Sequence, residues 1–148
     1  MPRITLPDGK VLEFQGPVTG AQVAETIGPG LRKRAIGVKL DGDEIRDLGR
    51  AIDRDCTIKI ITAKDDDPDA LYLLRHSAAH VMAEAITRLY PGTQLVYGPP
   101  VEQGFYYDMA FPGGKAPSTE DFAAIEAEMA KIVAENRPFT RYEMPSGE

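Results

Sequence analysis

RITLPDGKVLEF, residues 3–14, is the stretch that decides how the amino-terminal part of the chain folds. Two runs rich in strand-forming residues flank Pro7, Asp8 and Gly9, and these three residue types favour a tight turn. We therefore predict a β-hairpin over residues 3–14, with its turn at the Pro-Asp-Gly segment.

One short helix is predicted after this hairpin. Thr19 is suited to cap a helix over about residues 20–27, because its hydroxyl can accept a hydrogen bond from a backbone N–H of the first turn. Val23, Ala24 and Ile27 fall on one side of that helix and form its predicted buried stripe. Gly-Pro-Gly at residues 28–30 is predicted to end the helix.

A second hairpin and a closing strand complete the predicted first domain. AIGVKL and DEIR flank Asp-Gly at residues 41–42, and CTIKIITA, residues 56–63, alternates apolar with polar side chains. Two strands, a helix, two strands and a closing strand form the order typical of a small β-grasp (ubiquitin-like) domain, an α+β fold. We place this domain at residues 1–63.

The charged run KDDDPD, residues 64–69, separates this domain from a second α+β region at residues 64–148, although a solvated loop would explain it too. A long helix is predicted from Asp69 to about Tyr90. TQLVYG (93–98) and GFYYDMAF (104–111) are predicted strands, and FTRYEM (139–144) opens another. Ser118 with Asp121 is typical of a helix start. The apolar stripe of that helix is Phe122, Ile125, Met129, Ile132 and Val133.

Composition narrows the functional classes. The chain has 148 residues, of which 43% are hydrophobic and 27% charged, and this is typical of a globular protein. Its net charge of -6 argues against a generally basic nucleic-acid surface. An RNA contact would need local basic residues, such as Arg75 or LRKR at 31–34, and the latter is equally well explained as a loop edge. The single cysteine, Cys56, and the lack of a leader or membrane-spanning run predict a soluble cytoplasmic protein without a membrane partner.

The only two histidines of the chain, His76 and His80, lie four residues apart on the predicted long helix. At 100° per residue they lie close together on the helix surface, centred opposite a predicted buried stripe. That stripe consists of Leu71, Leu74, Ala78, Val81, Ala85 and Leu89. The histidines therefore do not belong to the main core face, and we predict that they line a cleft.

Histidines at i and i+4 can converge on one metal ion or one substrate, although unrelated packing histidines would also fit. The zinc-protease motif is excluded, because Ser77 occupies the position of its glutamate. A zinc site would need a further ligand, for which Asp108 and Glu102 are the candidates. Glu84 could instead orient His80 through a hydrogen bond.

Three segments resemble one family. ITLPDG (4–9) with IGPGL (27–31) is similar to a TGS domain, a β-grasp module of some synthetases, GTPases and stringent-response enzymes. ITAKD (61–65), then LRHSAAHVMAEAI (74–86) and GPPVEQGFYYD (98–108), resemble the amino-terminal region of bacterial-type threonyl-tRNA synthetases. The resemblance covers essentially the whole chain.

The resemblance implies a function in editing, the hydrolysis of serine wrongly attached to threonine tRNA. A one-methyl difference supplies only ~1–3 kcal/mol of discrimination, a limit for which aminoacyl-tRNA synthetases are the standard example. His76 and His80 match the family's first histidine motif, and Tyr107 and Asp108 match its aromatic-acidic strand. These four residues are the candidate catalytic residues, and the histidines would act as a base, as a proton relay or by positioning the terminal ribose. The implied partner is the acceptor end of tRNA(Thr).

The family's downstream Cys-x-x-x-His segment, its lysine-bearing region and its catalytic core are not found in this sequence. We therefore expect an amino-terminal fragment, with a partial editing domain, that neither aminoacylates nor edits alone and is a monomer. We expect the full-length enzyme to use ATP, to bind zinc and to form a homodimer. For the fragment itself we expect no cofactor and no metal. Two alternatives stay open, a non-catalytic TGS-type module that binds RNA or regulates a partner, and a small metalloenzyme that uses both histidines.

Overall fold

The structure, a computed structural model, describes residues 1–63, 67–138 and 142–145. It divides into two compact units, Met1–Leu73 and Leu74–Glu148. The first unit thus extends past the boundary expected at residue 64 and includes the first turns of the long helix. Residues 64–66 of the charged run lie outside the described residues.

Residues 1–63 and 67–73 of the first unit form seven strands, two complete helices and the start of a third. In chain order the strands and the two complete helices are β1 (Arg3–Thr5), β2 (Val11–Glu13), β3 (Val18–Thr19), α1 (Gly20–Ile27), α2 (Pro29–Arg34), β4 (Ala35–Leu40), β5 (Glu44–Arg46), β6 (Ala51–Ile52) and β7 (Cys56–Thr62). Five strands form one sheet in the order β2-β1-β7-β4-β5, in which β1 and β7 are parallel and the other pairs antiparallel. Both predicted hairpins and the α+β, β-grasp class are therefore confirmed.

Apolar side chains from the sheet and α1 form the core of this unit. Ile4, Val38 and Leu40 of the sheet and Val23 of α1 are fully buried. The short β3–β6 pair, which we did not predict, brings Ile52 into the same cluster. Burial of apolar area is the main force that holds this sheet against its helix.

The helical segment of the first unit differs from the prediction at its end. Thr19 caps α1 as predicted and forms a capping box with Gln22, and α1 ends before Gly28 as predicted. Ile27 is 43% exposed, so the prediction that it is buried was wrong. Gly-Pro-Gly does not lead into a loop, because Pro29 occupies the first turn of α2, where its missing N–H costs no hydrogen bond. The basic segment LRKR therefore lies on a helix.

The long helix α3 (Pro68–Leu89) begins on the surface of the first unit's sheet. The carboxylate of Asp69 contacts the Nζ of Lys39 at 3.1 Å and that of Lys59 at 3.5 Å. A Cβ on Gly37 would lie 2.7 Å from the side chain of Leu73, so the missing side chain of this glycine lets the helix lie close. The start of α3 is thus held to β4 and β7 by charge and by packing.

We expect Asp69→Asn to destabilise the first unit by about 1 kcal/mol, because Lys39 loses a carboxylate that is only 14% exposed and Lys59 keeps, among the described residues, only the more distant Asp67, at 3.7 Å. The measurement is the urea midpoint of the amide signals of β4 and β7. Asp53→Asn, at an exposed carboxylate, is the control and should leave the midpoint unchanged. Equal urea midpoints for Asp69→Asn and Asp53→Asn would show that the contacts of Asp69 with the lysines do not contribute to stability.

Within its described residues, the second unit contains the rest of α3, two small antiparallel strand pairs, two short 3₁₀ helices (Pro112–Gly114 and Thr119–Asp121) and one further α-helix. Its elements are β8 (Gln94–Tyr97), β9 (Pro100–Val101), β10 (Gly104–Phe105), β11 (Asp108–Ala110) and α4 (Phe122–Glu135). β8 pairs with β11 and β9 with β10, so GFYYDMAF is not the single strand we predicted. The break falls at Tyr106 and Tyr107, because the two halves pair with different partners.

The predicted apolar stripe of α3 was partly wrong. Leu74 and Leu89 are 46% and 37% exposed, whereas Ala79, Ala83 and Ile86 are buried. Ala85 of the predicted stripe is fully buried, so the buried side keeps part of that stripe and extends beyond it. The reason is tertiary, since Ile86 packs in a cluster with buried residues of α4 and the side chain of Met109.

Helix α4 follows the predicted start signal. Ser118 and Asp121 form a capping box ahead of it, and Asn136 ends it in the left-handed conformation with φ 47°. Ile125 and Ile132 are buried, but Phe122 and Val133 are exposed, so only part of the predicted stripe packs. FTRYEM shows no strand at residues 142–144, and residues 139–141 lie outside the described residues. None of the helices in the described ranges has the length and apolar character that crossing a membrane requires.

Candidate functional site

The two histidines lie side by side on the surface of α3. Their ring centroids are 4.7 Å apart and the ring planes are inclined by 31°. This closeness follows from the spacing, because residues i and i+4 stand one turn apart on the same face of a helix. One small substrate group could contact both imidazoles.

His80 has the chemical properties of a proton acceptor. Partial burial, and to a lesser degree the nearby His76, lowers the pKa of His80 below its ordinary value of 6.5. The ring is therefore mostly neutral near pH 7. It takes part in no hydrogen bond within the described part of the chain, so its nitrogens remain available to a ligand.

His80 lines a pocket of about 330 Å³ between α3 and the end of α4. The polar residues of this pocket are Ser77, His80, Glu84, Asn136 and Arg137. Its apolar wall consists of Val81, Ile132, Val133 and Pro138. A pocket with these polar groups suits a small polar ligand better than an apolar one.

From its spacing we considered that Glu84 could orient His80 through a hydrogen bond, but the structure shows other partners for Glu84. Its Oε1 accepts hydrogen bonds from Nη2 of Arg88 at 2.8 Å and from Nη2 of Arg137 at 2.5 Å. Arg88 also contacts Glu135, at 2.9 Å. These ion pairs join α3 to the end of α4, and two of their members, Glu84 and Arg137, line the histidine pocket.

Tyr107 and Asp108 do not line the histidine pocket. They line a cavity of about 700 Å³ whose other residues are mainly apolar, among them Met82, Ile86 and Phe105. Neither histidine lines that cavity, and neither Tyr107 nor Asp108 lines the histidine pocket. The structure therefore does not bring the four candidate residues into one pocket.

Arg75 connects the histidine helix to the hairpin that precedes Tyr107. Its Nη1 donates to the backbone carbonyl oxygens of Val101 and Glu102, at 3.3 and 2.5 Å. Charged donors form strong hydrogen bonds with carbonyl oxygens. Arg75 thus supports the β9–β10 hairpin and is not the open basic residue that we had considered for RNA contact.

The metal hypothesis receives no support from the side chains nearby. Within residues 1–63, 67–138 and 142–145, no three His, Cys, Asp or Glu side chains are grouped as metal ligands would be. Glu102 and Asp108, the candidate carboxylates, do not line the pocket of His80. Cys56 is buried in the core of the first unit, where desolvation raises the pKa of its thiol.

Two residues of the site were missed in the sequence. Gly98 lies under the ring of Tyr107, and Arg137 lines the histidine pocket. The Gly-Pro-Pro turn could have pointed to a close contact at Gly98. The position of Arg137 depends on how α4 packs against α3, and no local pattern shows this.

Comparison with known families and proteins agrees with this fold. Residues 2–62 match the family model of the TGS domain. The chain is 56% identical over 143 residues to a threonine–tRNA ligase of Paramagnetospirillum magneticum, covering 97% of this chain and 22% of that protein. It is 52% identical over 141 residues to the one of Acidiphilium cryptum, covering 95% of this chain and 21% of the relative. A relative from Gluconacetobacter diazotrophicus is 51% identical over 148 residues, 100% of this chain and 22% of its own length.

The chain thus spans about a fifth of the length of these curated relatives. The matches cover both units of the structure, since each extends well beyond residue 73.

Proposed function

We propose that the chain supplies an editing function to a threonine–tRNA ligase, because residues 2–62 match the TGS domain model and nearly the whole chain is similar to such ligases. The substrate we propose is tRNA(Thr) that carries serine at its acceptor end. The reaction is hydrolysis of the ester bond, which returns free serine and uncharged tRNA. With this substrate, the location we propose is the cytoplasm.

The observation that carries the proposal is the paired imidazoles at 4.7 Å, of which His80 is mostly neutral and faces a small polar pocket. Ester hydrolysis needs a base for the attacking water and a group that returns the proton to the leaving oxygen. One neutral imidazole with an available nitrogen can do both in turn.

The proposed step runs through His80. A water oxygen forms a bond to the ester carbonyl carbon while the imidazole accepts the proton of that water. The tetrahedral intermediate then breaks its bond to the ribose oxygen, and the imidazolium returns the proton to that oxygen. His76, one turn away, is proposed to hold the neighbouring ribose hydroxyl, because its ring lies against that of His80.

Tyr107 and Asp108 are proposed to take part in substrate binding from the adjacent apolar cavity. Since they do not line the histidine pocket, we give them no proton-transfer step. ATP use, a zinc site and a dimer belong to the proposed ligase as a whole, and none of them enters this step.

The test of the function is hydrolysis of preformed seryl-tRNA(Thr) and threonyl-tRNA(Thr) by a full-length threonine–tRNA ligase that carries this sequence. We expect fast release of serine and slow release of threonine, each corrected for hydrolysis without protein. Equal and background-level release from both would contradict the proposal. Binding of tRNA without hydrolysis would favour the non-catalytic RNA-binding module instead.

A further inference from the structure

The histidine pocket is lined by a carboxylate, that of Glu84, which pairs with two arginines and forms no hydrogen bond with His80 in the described part of the chain. Glu84 lies one helical turn after His80, and at this spacing a carboxylate commonly pairs with the imidazole. The structure shows a different pairing. Oε1 of Glu84 accepts from Arg137 at 2.5 Å and from Arg88 at 2.8 Å.

We infer that Arg137 is a positioning residue, which holds the carboxylate of Glu84 away from the His80 ring and so keeps that ring open to the pocket. Arg137 and Arg88 contribute differently. Arg88 approaches from the next turn of α3 and does not line the pocket, whereas Arg137 lines it together with His80 and Glu84. Arg137 is therefore the partner that competes with His80 for this carboxylate.

The position of Arg137 is set by contacts of its own. Its Nε lies 2.8 Å from Oε2 of Glu135, and Glu135 in turn contacts Arg88 at 2.9 Å. The left-handed Asn136 ends α4 directly before it and turns the chain toward α3. These contacts keep the guanidinium next to Glu84 although its side chain is 55% exposed.

The consequence for the site concerns charge. Within the described residues, the titratable and charged groups that face His80 are His76 and Glu84 on α3 and Arg137 after α4. Oε1 of Glu84 accepts from the guanidinium groups of Arg88 and Arg137, which also pair with Glu128 and Glu135, so this carboxylate is engaged by arginines and not by the imidazole. Without Arg137, Glu84 can pair with His80, which would block the ring and favour its protonated form. The pairing of Arg137 with Glu84 does not depend on the proposed function. Its importance for catalysis does.

The test is an NMR titration of the 148-residue chain, which has only two histidine ring signals to resolve. We expect Arg137→Gln to raise the proton-binding constant of His80 about two- to fivefold, the range that an exposed carboxylate pair supplies. Adding Glu84→Gln should return the constant to its wild-type value. Lys115→Gln, which makes the same change of net charge at an exposed position, is the control and should have no effect.

An unchanged constant in Arg137→Gln, or a rise that survives the addition of Glu84→Gln, would overturn the inference. Amide spectra of each variant verify that the fold is retained, and the exposure of Arg137 makes unfolding unexpected. Since the titration uses no tRNA, its failure would leave the proposed hydrolysis standing. Failure of the hydrolysis assay would equally leave the pairing of Arg137 with Glu84 intact.

Discussion

His80→Ala is expected to slow the hydrolysis of seryl-tRNA(Thr) by about 10²–10⁴-fold, the usual contribution of a positioned general base. The variant removes the imidazole to which we assign the proton transfer. It leaves the helix intact, because alanine is a strong helix former. The measurement is the single-turnover rate of serine release by the full-length ligase that carries the substitution.

The control for this variant is Thr87→Ala, on the same helix but outside the histidine pocket. Thr87 bonds to the carbonyl oxygen of Glu84 at 2.8 Å, so its loss tests for a general disturbance of α3. We expect a rate within about twofold of wild type, a barrier change of roughly 0.5 kcal/mol or less, because the half-buried Thr87 does not line the pocket of His80. Equal rates for His80→Ala and wild type would remove the catalytic role from His80.

Gly98→Ala is expected to destabilise the second unit by about 1–3 kcal/mol, the usual cost of overpacking. A Cβ at this position would lie 2.1 Å from the Cδ2 of Tyr107, far inside the van der Waals contact distance. The half-buried ring would have to swing away from the backbone of residue 98 and lose its place in the apolar cavity. The urea midpoint of the amide signals of α4 measures the effect.

A double-mutant cycle isolates this contact from other effects of the substitution. In a Tyr107→Ala background the ring is absent, so Gly98→Ala should cost little. A cost that is the same in both backgrounds would show that Gly98 serves some purpose other than holding the ring of Tyr107.

The first unit was predictable because its signals are local. Alternating apolar residues, Asp-Gly at 41–42 and the Thr19 cap each specify one element, and the resulting order admits few topologies. At the hairpin turn, Asp41 and Gly42 both take positive φ, 49° and 79°, as a type I′ turn requires. The sequence did not reveal that Pro29 would start a second helix, since Gly-Pro-Gly is also a common stop.

The second unit was harder to predict because its burial is decided by tertiary packing. The leucines of α3 gave a clear stripe, yet alanines and Ile86 are buried, since small side chains allow other elements to approach. The pairing of His76 and His80 followed directly from spacing and is confirmed by their ring distance. The catalytic role of the histidines stays a prediction, and so does the role of Tyr107 and Asp108. The hydrophobic periodicity of the sequence could not show that these two residues line a separate pocket.

The central claim, that the neutral imidazole of His80 performs the hydrolysis, is tested most directly by the pH dependence of the reaction. Because the pKa of His80 lies below 6.5, the neutral form dominates above that pH and is lost as the pH falls through the lowered value. The single-turnover rate of serine release, corrected for hydrolysis without protein, should therefore be constant near pH 7. It should decline on the acid side with the same midpoint that NMR gives for His80. A rate that stays constant while the His80 signal titrates would contradict the claim.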